Sequence, residues 1–216
     1  MGFALRKTEE ELTLDDYLEI ERASEFRNDY VNGQIIAMSG ESLSHGRIKG
    51  NVYHEIRNHL RGKPCEAFTS DMKVKVEGVS PFKYPDVVVV CGQPQMHDAK
   101  KDLLLNPLVI IEVLSPSTEA VDRGEKFDLY QAIPSLKYYV LIAQDRSSVT
   151  VMTRQSNNRW ELELITDMNA SLLVPDLDCE IPLHEIYDRV EFPVPKPTLV
   201  NGQKSRAKKQ KRTSTK

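Results

Sequence analysis

Val87 to Val90, Leu108 to Ile111 and Tyr138 to Ala143 are unbroken apolar runs of four to six residues. Runs this short fall far below the roughly 20 residues needed to cross a bilayer, and they suit strands covered on both faces. Such strands need helical layers on either side, which restricts the chain to an α/β architecture. Two of the runs carry an acid at one end. Asp86 stands directly before the first, in Tyr84-Pro85-Asp86-Val87, and Glu112 directly after the second, in Ile111-Glu112-Val113. A carboxylate at the end of a buried strand is costly to desolvate unless something compensates it. Two of them brought together repel each other, and a divalent cation is a natural compensator. The pair is therefore a candidate metal site.

The rest of the chain supplies the layers. Thr13-Leu14-Asp15-Asp16 reads as a helix start, continuing through Tyr17, Leu18 and Ile20. Residues Asp29 to Met38 predict an N-terminal hairpin around Asn32-Gly33, followed by a Gly/Ser-bearing loop from Ser39 to Ser44. Ile48, Val52, Ile56 and Leu60 recur four apart and predict a helix from His45 to Leu60 with one buried stripe. Met72 to Val76 alternates as a half-exposed strand, and Gly78 to Pro81 turns the chain. The polar segment Cys91 to Asn106 reads as a mobile loop. Ser115 to Thr118 ends the second buried strand and caps a single helix from about Glu119 to Ala132, closed by Pro134. A hairpin around Asn157-Asn158 and a short helix from Pro182 to Tyr187 complete a mixed β-sheet flanked by helices. The division expected is an N-terminal extension (1–11), one α/β domain (12–195) and a tail (196–216).

Charge is unevenly spread. The tail holds eight basic residues and no acids, leaving 21 basic residues against all 32 acids in residues 1–195, about −11 by formal counting. Lys204, Arg206, Lys208, Lys209, Lys211 and Arg212 could contact phosphates as a non-specific nucleic-acid arm, or the segment could be a solubilising extension. Its polar composition predicts disorder. Arg6 and Lys7 are followed by acids rather than an apolar stretch, which argues against a signal peptide. Cys65, Cys91 and Cys179 are odd in number and widely spaced, which argues against a disulfide framework or a zinc site. These features predict a cytoplasmic protein with free thiols.

Asp122, Lys126 and Tyr130 lie four apart on the helix after Glu112 and so share a face. Lys126 could point back over the strand ends. A cation held by two carboxylates, with a lysine beside it, is what phosphodiester hydrolysis requires: charge against the phosphate, and an ammonium to position water or stabilise the developing anion. The plainer alternative is an Asp122–Lys126 surface pair worth a few tenths of a kcal/mol. Ser115 and Ser117 lack a G-x-S-x-G context and suit a turn and cap.

Tyr84-Pro85-Asp86-Val87, then Ile111-Glu112-Val113-Leu114-Ser115-Pro116-Ser117-Thr118, then Asp122-Arg123-Gly124-Glu125-Lys126-Phe127-Asp128-Leu129-Tyr130 closely resemble the Uma-type family of restriction-endonuclease-like proteins. That family is a branch of the PD-(D/E)xK nuclease superfamily, and the likeness spans about residues 12–190. It implies a restriction-endonuclease-like core, Asp86 and Glu112 as ligands to Mg²⁺ or Mn²⁺, and the carbonyl of Val113 as a further ligand. The superfamily places its lysine two residues after the second acid, where this chain has Leu114. The resemblance implies that Lys126 replaces it. It also points to DNA as substrate and to a homodimer, with no organic cofactor and no membrane.

Secondary candidates are Asp29, either assisting the metal or capping a turn, and His45, either contacting phosphate or water or solvated at a helix start. Asp71 at a strand end and Glu55 on the long helix could add ligands. Tyr130 could orient Lys126 or simply pack. The alternative to an endonuclease is a non-catalytic nucleic-acid- or protein-binding module on the same fold. No helix-turn-helix or zinc-finger pattern suggests a target sequence.

Overall fold

A computed structural model describes residues 14–24, 28–31, 34–37, 40–76 and 82–193. The chain begins with α1 (Leu14–Ala23), the hairpin strands β1 (Asn28–Val31) and β2 (Gln34–Ala37), and α2 (Leu43–His59). There follow β3 (Cys65–Thr69), β4 (Lys73–Lys75), β5 (Phe82–Lys83), β6 (Val87–Cys91), β7 (Leu103–Leu104) and β8 (Val109–Leu114). Two short helices, α3 (Glu119–Arg123) and α4 (Glu125–Tyr130), lead to β9 (Tyr138–Ala143), β10 (Val149–Arg154) and β11 (Trp160–Ile165). β12 (Ser171–Val174), β13 (Cys179–Pro182) and α5 (Leu183–Ile186) close the domain.

The main sheet has six strands in the order β11-β10-β9-β8-β6-β3. The β8–β9 pair is parallel, joined by the α3–α4 crossover, while the other pairs are antiparallel. All three apolar runs are central strands, and their alternate residues feed two cores. Val87, Val89, Val109, Ile111 and Val113 meet Ile48, Val52 and Ile56 of α2. Val88, Val90, Ile110 and Leu114 meet Tyr130, Ile133 and Tyr139 on the other face. Each such side chain contributes about 1.5–3 kcal/mol by burial, so both helical layers are held by the same strands. The hairpin forms with Val31 opposite Gln34, its Asn32-Gly33 turn lying outside the described residues.

Three expectations are corrected. The segment from Cys91 to Asn106 is not a mobile loop. β7 pairs with β4 in a small sheet, Met96 bridges to Leu104, and Arg22 of α1 pairs with Asp98 at 2.9 Å and Asp102 at 2.6 Å. Lys73 adds a contact to Asp102 at 2.9 Å, and the Arg22 guanidinium in particular holds that carboxyl well below the usual range. The polar residues are there to make ion pairs. Second, the helix after Glu112 is broken at Gly124, whose φ of −111° and ψ of −88° are not helical. A glycine pays no side-chain penalty for that geometry.

Third, Cys65 and Cys91 are not free thiols. They face each other across β3 and β6 and form a disulfide, leaving Cys179 as a free, buried cysteine among the described residues. Spacing alone could not reveal this, because the pairing depends on strand register. A bridge between residues 26 apart removes chain entropy worth about 3 kcal/mol. Reduction, or Cys91→Ser, is expected to lower unfolding stability by about that amount, measured by urea denaturation with and without reductant. No described helix is long and apolar enough to cross a membrane.

Candidate active site

The β6–β8 register pairs Val87 with Ile111. The β6–β8 ladder ends at that pair, with Asp86 in the bend directly before β6 and Glu112 directly after Ile111, close enough for the Asp86 charge to act on Glu112. The two acids are thus brought together at one end of the central strands. Asp86 accepts through Oδ2 from the Val113 N–H at 2.7 Å, and its Oδ1 lies 2.9 Å from His45 Nε2. In an extended strand a residue's N–H and C=O lie on the same edge, so the Val113 carbonyl also faces the Asp86 side.

Lys126 points inward. Its ammonium lies 2.9 Å from Glu112 Oε1 and 2.8 Å from Asp122 Oδ1, with Glu112 and Asp122 only 3 % and 2 % exposed. Tyr130 donates to the same Glu112 oxygen at 3.4 Å while its ring packs edge-on to Tyr139, so it both packs and touches the acid. Tyr139 donates to the backbone carbonyl of Asp122 at 2.8 Å, tying α3 to β9. Burial pushes the Glu112 carboxyl up to about 8; Lys126 opposes the shift, and Asp122 and Asp86 reinforce it. Burial works against the charge of Lys126, but Glu112 and Asp122 outweigh it and hold the ammonium protonated well above its ordinary range.

Two carboxylates, Glu112 and Asp122, therefore share the Lys126 ammonium, while Asp86 beside them is held by His45 and the Val113 N–H. The donors at the strand end, two carboxylates and a backbone carbonyl, are hard oxygens of the kind Mg²⁺ and Mn²⁺ prefer, and the cluster is short of positive charge. The residues fit a divalent cation.

His45 belongs to this cluster. Ser42 caps α2 by accepting from the His45 N–H at 3.1 Å, which sets the imidazole in the first turn facing Asp86. Glu41 lies beside it, and Glu41, His45 and Asp86 form a group whose ligand atoms all lie within 4.8 Å of one another. Neither Asp71 nor Glu55 belongs to that group: Asp71 sits exposed in the turn after β3, and Glu55 lies 3.9 Å from His54. The side chain of Asp29 and the whole tail from Lys204 to Arg212 lie outside the described residues. Glu41 and the buried part of Asp122 were missed from sequence, although each carried a signal, standing four residues from His45 and Lys126 respectively. A hollow of about 140 Å³ lined by Arg57, Leu60, Arg61 and Cys65 lies at the opposite end of β6 and holds none of these groups.

Comparison with known proteins agrees with this architecture. Two uncharacterized proteins of Synechocystis sp. are 35 % and 30 % identical over 161 residues, covering 74 % of this chain and 82 % and 91 % of theirs. The crystal structure of a "putative nuclease belonging to DUF820" from Anabaena variabilis shares the fold, with a TM-score of 0.68 and 19 % identity over 83 % of this chain and 99 % of that one. The family model described as "Uma2: Putative restriction endonuclease" matches residues 14–183, a span that contains Asp86, Glu112, Asp122 and Lys126, and the chain belongs to that family.

Proposed function

We propose that the protein is a Mg²⁺- or Mn²⁺-dependent endonuclease that hydrolyses phosphodiester bonds of DNA. The observation that carries the reading is Lys126, which reaches from the helix after β8 to the carboxylate of Glu112, beside Asp86 at the strand ends. In this reading Asp86, Glu112 and the Val113 carbonyl hold the cation. When bound, the ion supplies Lewis-acid charge against the phosphate and promotes ionisation of water.

The protein's own groups do the rest. Lys126 has three N–H donors, and Glu112 and Asp122 take two of them. The third can orient the attacking water or meet the negative charge that grows on the phosphate oxygens. Asp122 keeps the ammonium in place when Glu112 turns to the cation. Tyr130 limits the swing of Glu112, and His45 fixes the Asp86 carboxylate from the α2 side. A cut through both strands of a duplex asks for two such centres, which a symmetric homodimer provides. The setting proposed is the cytoplasm, where DNA is accessible.

Supercoiled plasmid incubated with Mg²⁺ or Mn²⁺ is expected to be nicked, and the activity to require added metal. Asp86→Ala and Glu112→Ala should each reduce nicking on the order of 10³-fold, the equivalent of several kcal/mol of lost charge stabilisation. Variants that nick as fast as the unaltered protein would sink the assignment.

A further inference from the structure

The end of β6 far from Asp86 carries a separate group of reactive side chains. Cys65 opens β3, the edge strand of the main sheet, and Cys91 closes β6 directly opposite. Their disulfide rests against the core under α2 but is only partly buried. Cys65 also lines the hollow of about 140 Å³, together with Leu60, Arg57 and Arg61. A disulfide sulfur that faces a cavity can be reached by an attacking thiolate, which a sealed one cannot.

The hollow is positively charged. Arg57 in the last turn of α2 and Arg61 just past its end are both exposed, and among the described residues neither pairs with an acid. Glu66, the acid next to Cys65, stands on the other face of β3, because alternation sends Ala67 to the α2 core and Phe68 to the opposite one. At about 140 Å³ the hollow is smaller than the roughly 300 Å³ of a drug-sized site, so it admits the thiol end of a small molecule rather than a peptide chain. The strands do not depend on the bridge for their pairing. Gly92 N–H donates to the Pro64 carbonyl at 2.7 Å, one step beyond the cysteines, and keeps β3 beside β6 when the disulfide opens.

We propose that Cys65–Cys91 is a thiol-exchange site and that the hollow receives an anionic low-molecular-weight thiol of the class of glutathione. The incoming thiolate attacks Cys65 Sγ. A new S–S bond forms to Cys65 as the Cys65–Cys91 bond breaks, and the electron pair leaves on Cys91 as a thiolate, which takes a proton from water. One disulfide replaces another, so no oxidant is consumed. Arg57 and Arg61 hold the carboxylates of the small thiol in charge-assisted hydrogen bonds. Attack of Cys91 on Cys65 Sγ reverses the step, expels the small thiol and restores the bridge. In a cytoplasm most thiols are kept reduced, and the disulfides found there are mostly ones that open and close. Exchange here needs neither metal nor DNA, and so stands apart from the nuclease reading.

The test uses the full chain, isolated without reductant and incubated with either glutathione or its diethyl ester, which lacks the carboxylate charges. Samples are quenched with iodoacetamide at early times and read by intact mass and peptide mapping. Glutathione is expected to add once, at Cys65, with Cys91 alkylated. Per thiolate it should react about tenfold faster than the ester, the preference that two exposed ion pairs allow. The double variant Arg57→Gln, Arg61→Gln should lose that preference and keep the ester's rate; both positions are exposed, so the fold is retained. High salt should erase the preference in the unaltered protein. Equal rates for the two thiols, a preference that survives in the double variant, adducts on Cys91 in place of Cys65, or three free thiols in the isolated chain would each overturn the proposal.

Discussion

Lys126→Ala is expected to lower DNA-nicking turnover by about 10²–10³-fold while leaving Mn²⁺ binding in place, because the lysine supplies charge to the reaction and no ligand to the ion. The same change should also destabilise the fold. Glu112 and Asp122 are almost completely buried, and the Lys126 ammonium stands within 3 Å of both. Breaking a buried pair by removing one partner costs about 3–5 kcal/mol. Single-turnover kinetics at saturating Mn²⁺, alongside urea unfolding, separate the two effects. Lys126→Met, which keeps most of the aliphatic stem, should recover part of the stability and none of the rate. Equal recovery of both would make the lysine a structural strut only.

The second large effect is a dependence of stability on pH. Glu112 has a folded pKa raised from 4.5 to about 8. Below about 4.5 both folded and unfolded chains carry the proton, and burial costs nothing extra. Between 4.5 and 8 the unfolded chain gives up the proton while the folded one retains it, so stability falls as pH rises; above 8 the loss is complete. A shift of this size corresponds to a few kcal/mol. Unfolding free energy of the metal-free protein, followed by denaturant titration from pH 4.5 to 8.5, should decline, and Glu112→Gln should flatten that decline. Saturating Mn²⁺ should flatten it too, since the ion replaces the proton. Parallel slopes in the unaltered and Glu112→Gln proteins would show that the charge cost lies elsewhere.

Local pattern carried much of this fold in the sequence. Val87 to Val90 and Tyr138 to Ala143 became central strands because being apolar on both faces is a property of the residues themselves. The α2 stripe of Ile48, Val52 and Ile56 followed equally from spacing. What could not be read was anything set by register or by distant partners. Cys65 meets Cys91, and His45 meets Asp86, only because strands and a helix align over long separations. The ion pairs from Arg22 across 76 and 80 residues gave structure to a segment whose polarity suggested a loop. For the site, the ends of the apolar runs and the helical spacing singled out Asp86, Glu112 and Lys126, and the family resemblance strengthened that choice. The geometry added that the lysine faces inward, and that Asp122, which also reads as one end of a surface pair, is buried with it.

Asp86 and Glu112 adjoin the Val87–Ile111 pair that ends the β6–β8 ladder, so their meeting is a matter of strand register rather than of distance along the chain. A shift of one residue in β8 would turn Glu112 toward the α2 face and the strand's α2-facing valines and isoleucine the other way. The excursion between the strands is under no such constraint, because lengthening a surface connection costs only about 0.6 kcal/mol per doubling. Evolution could therefore remodel the stretch between Gly92 and Asn106, with its ion pairs to α1, in search of new contacts. The chemistry at the strand ends would be preserved as long as the count of residues within each strand is kept.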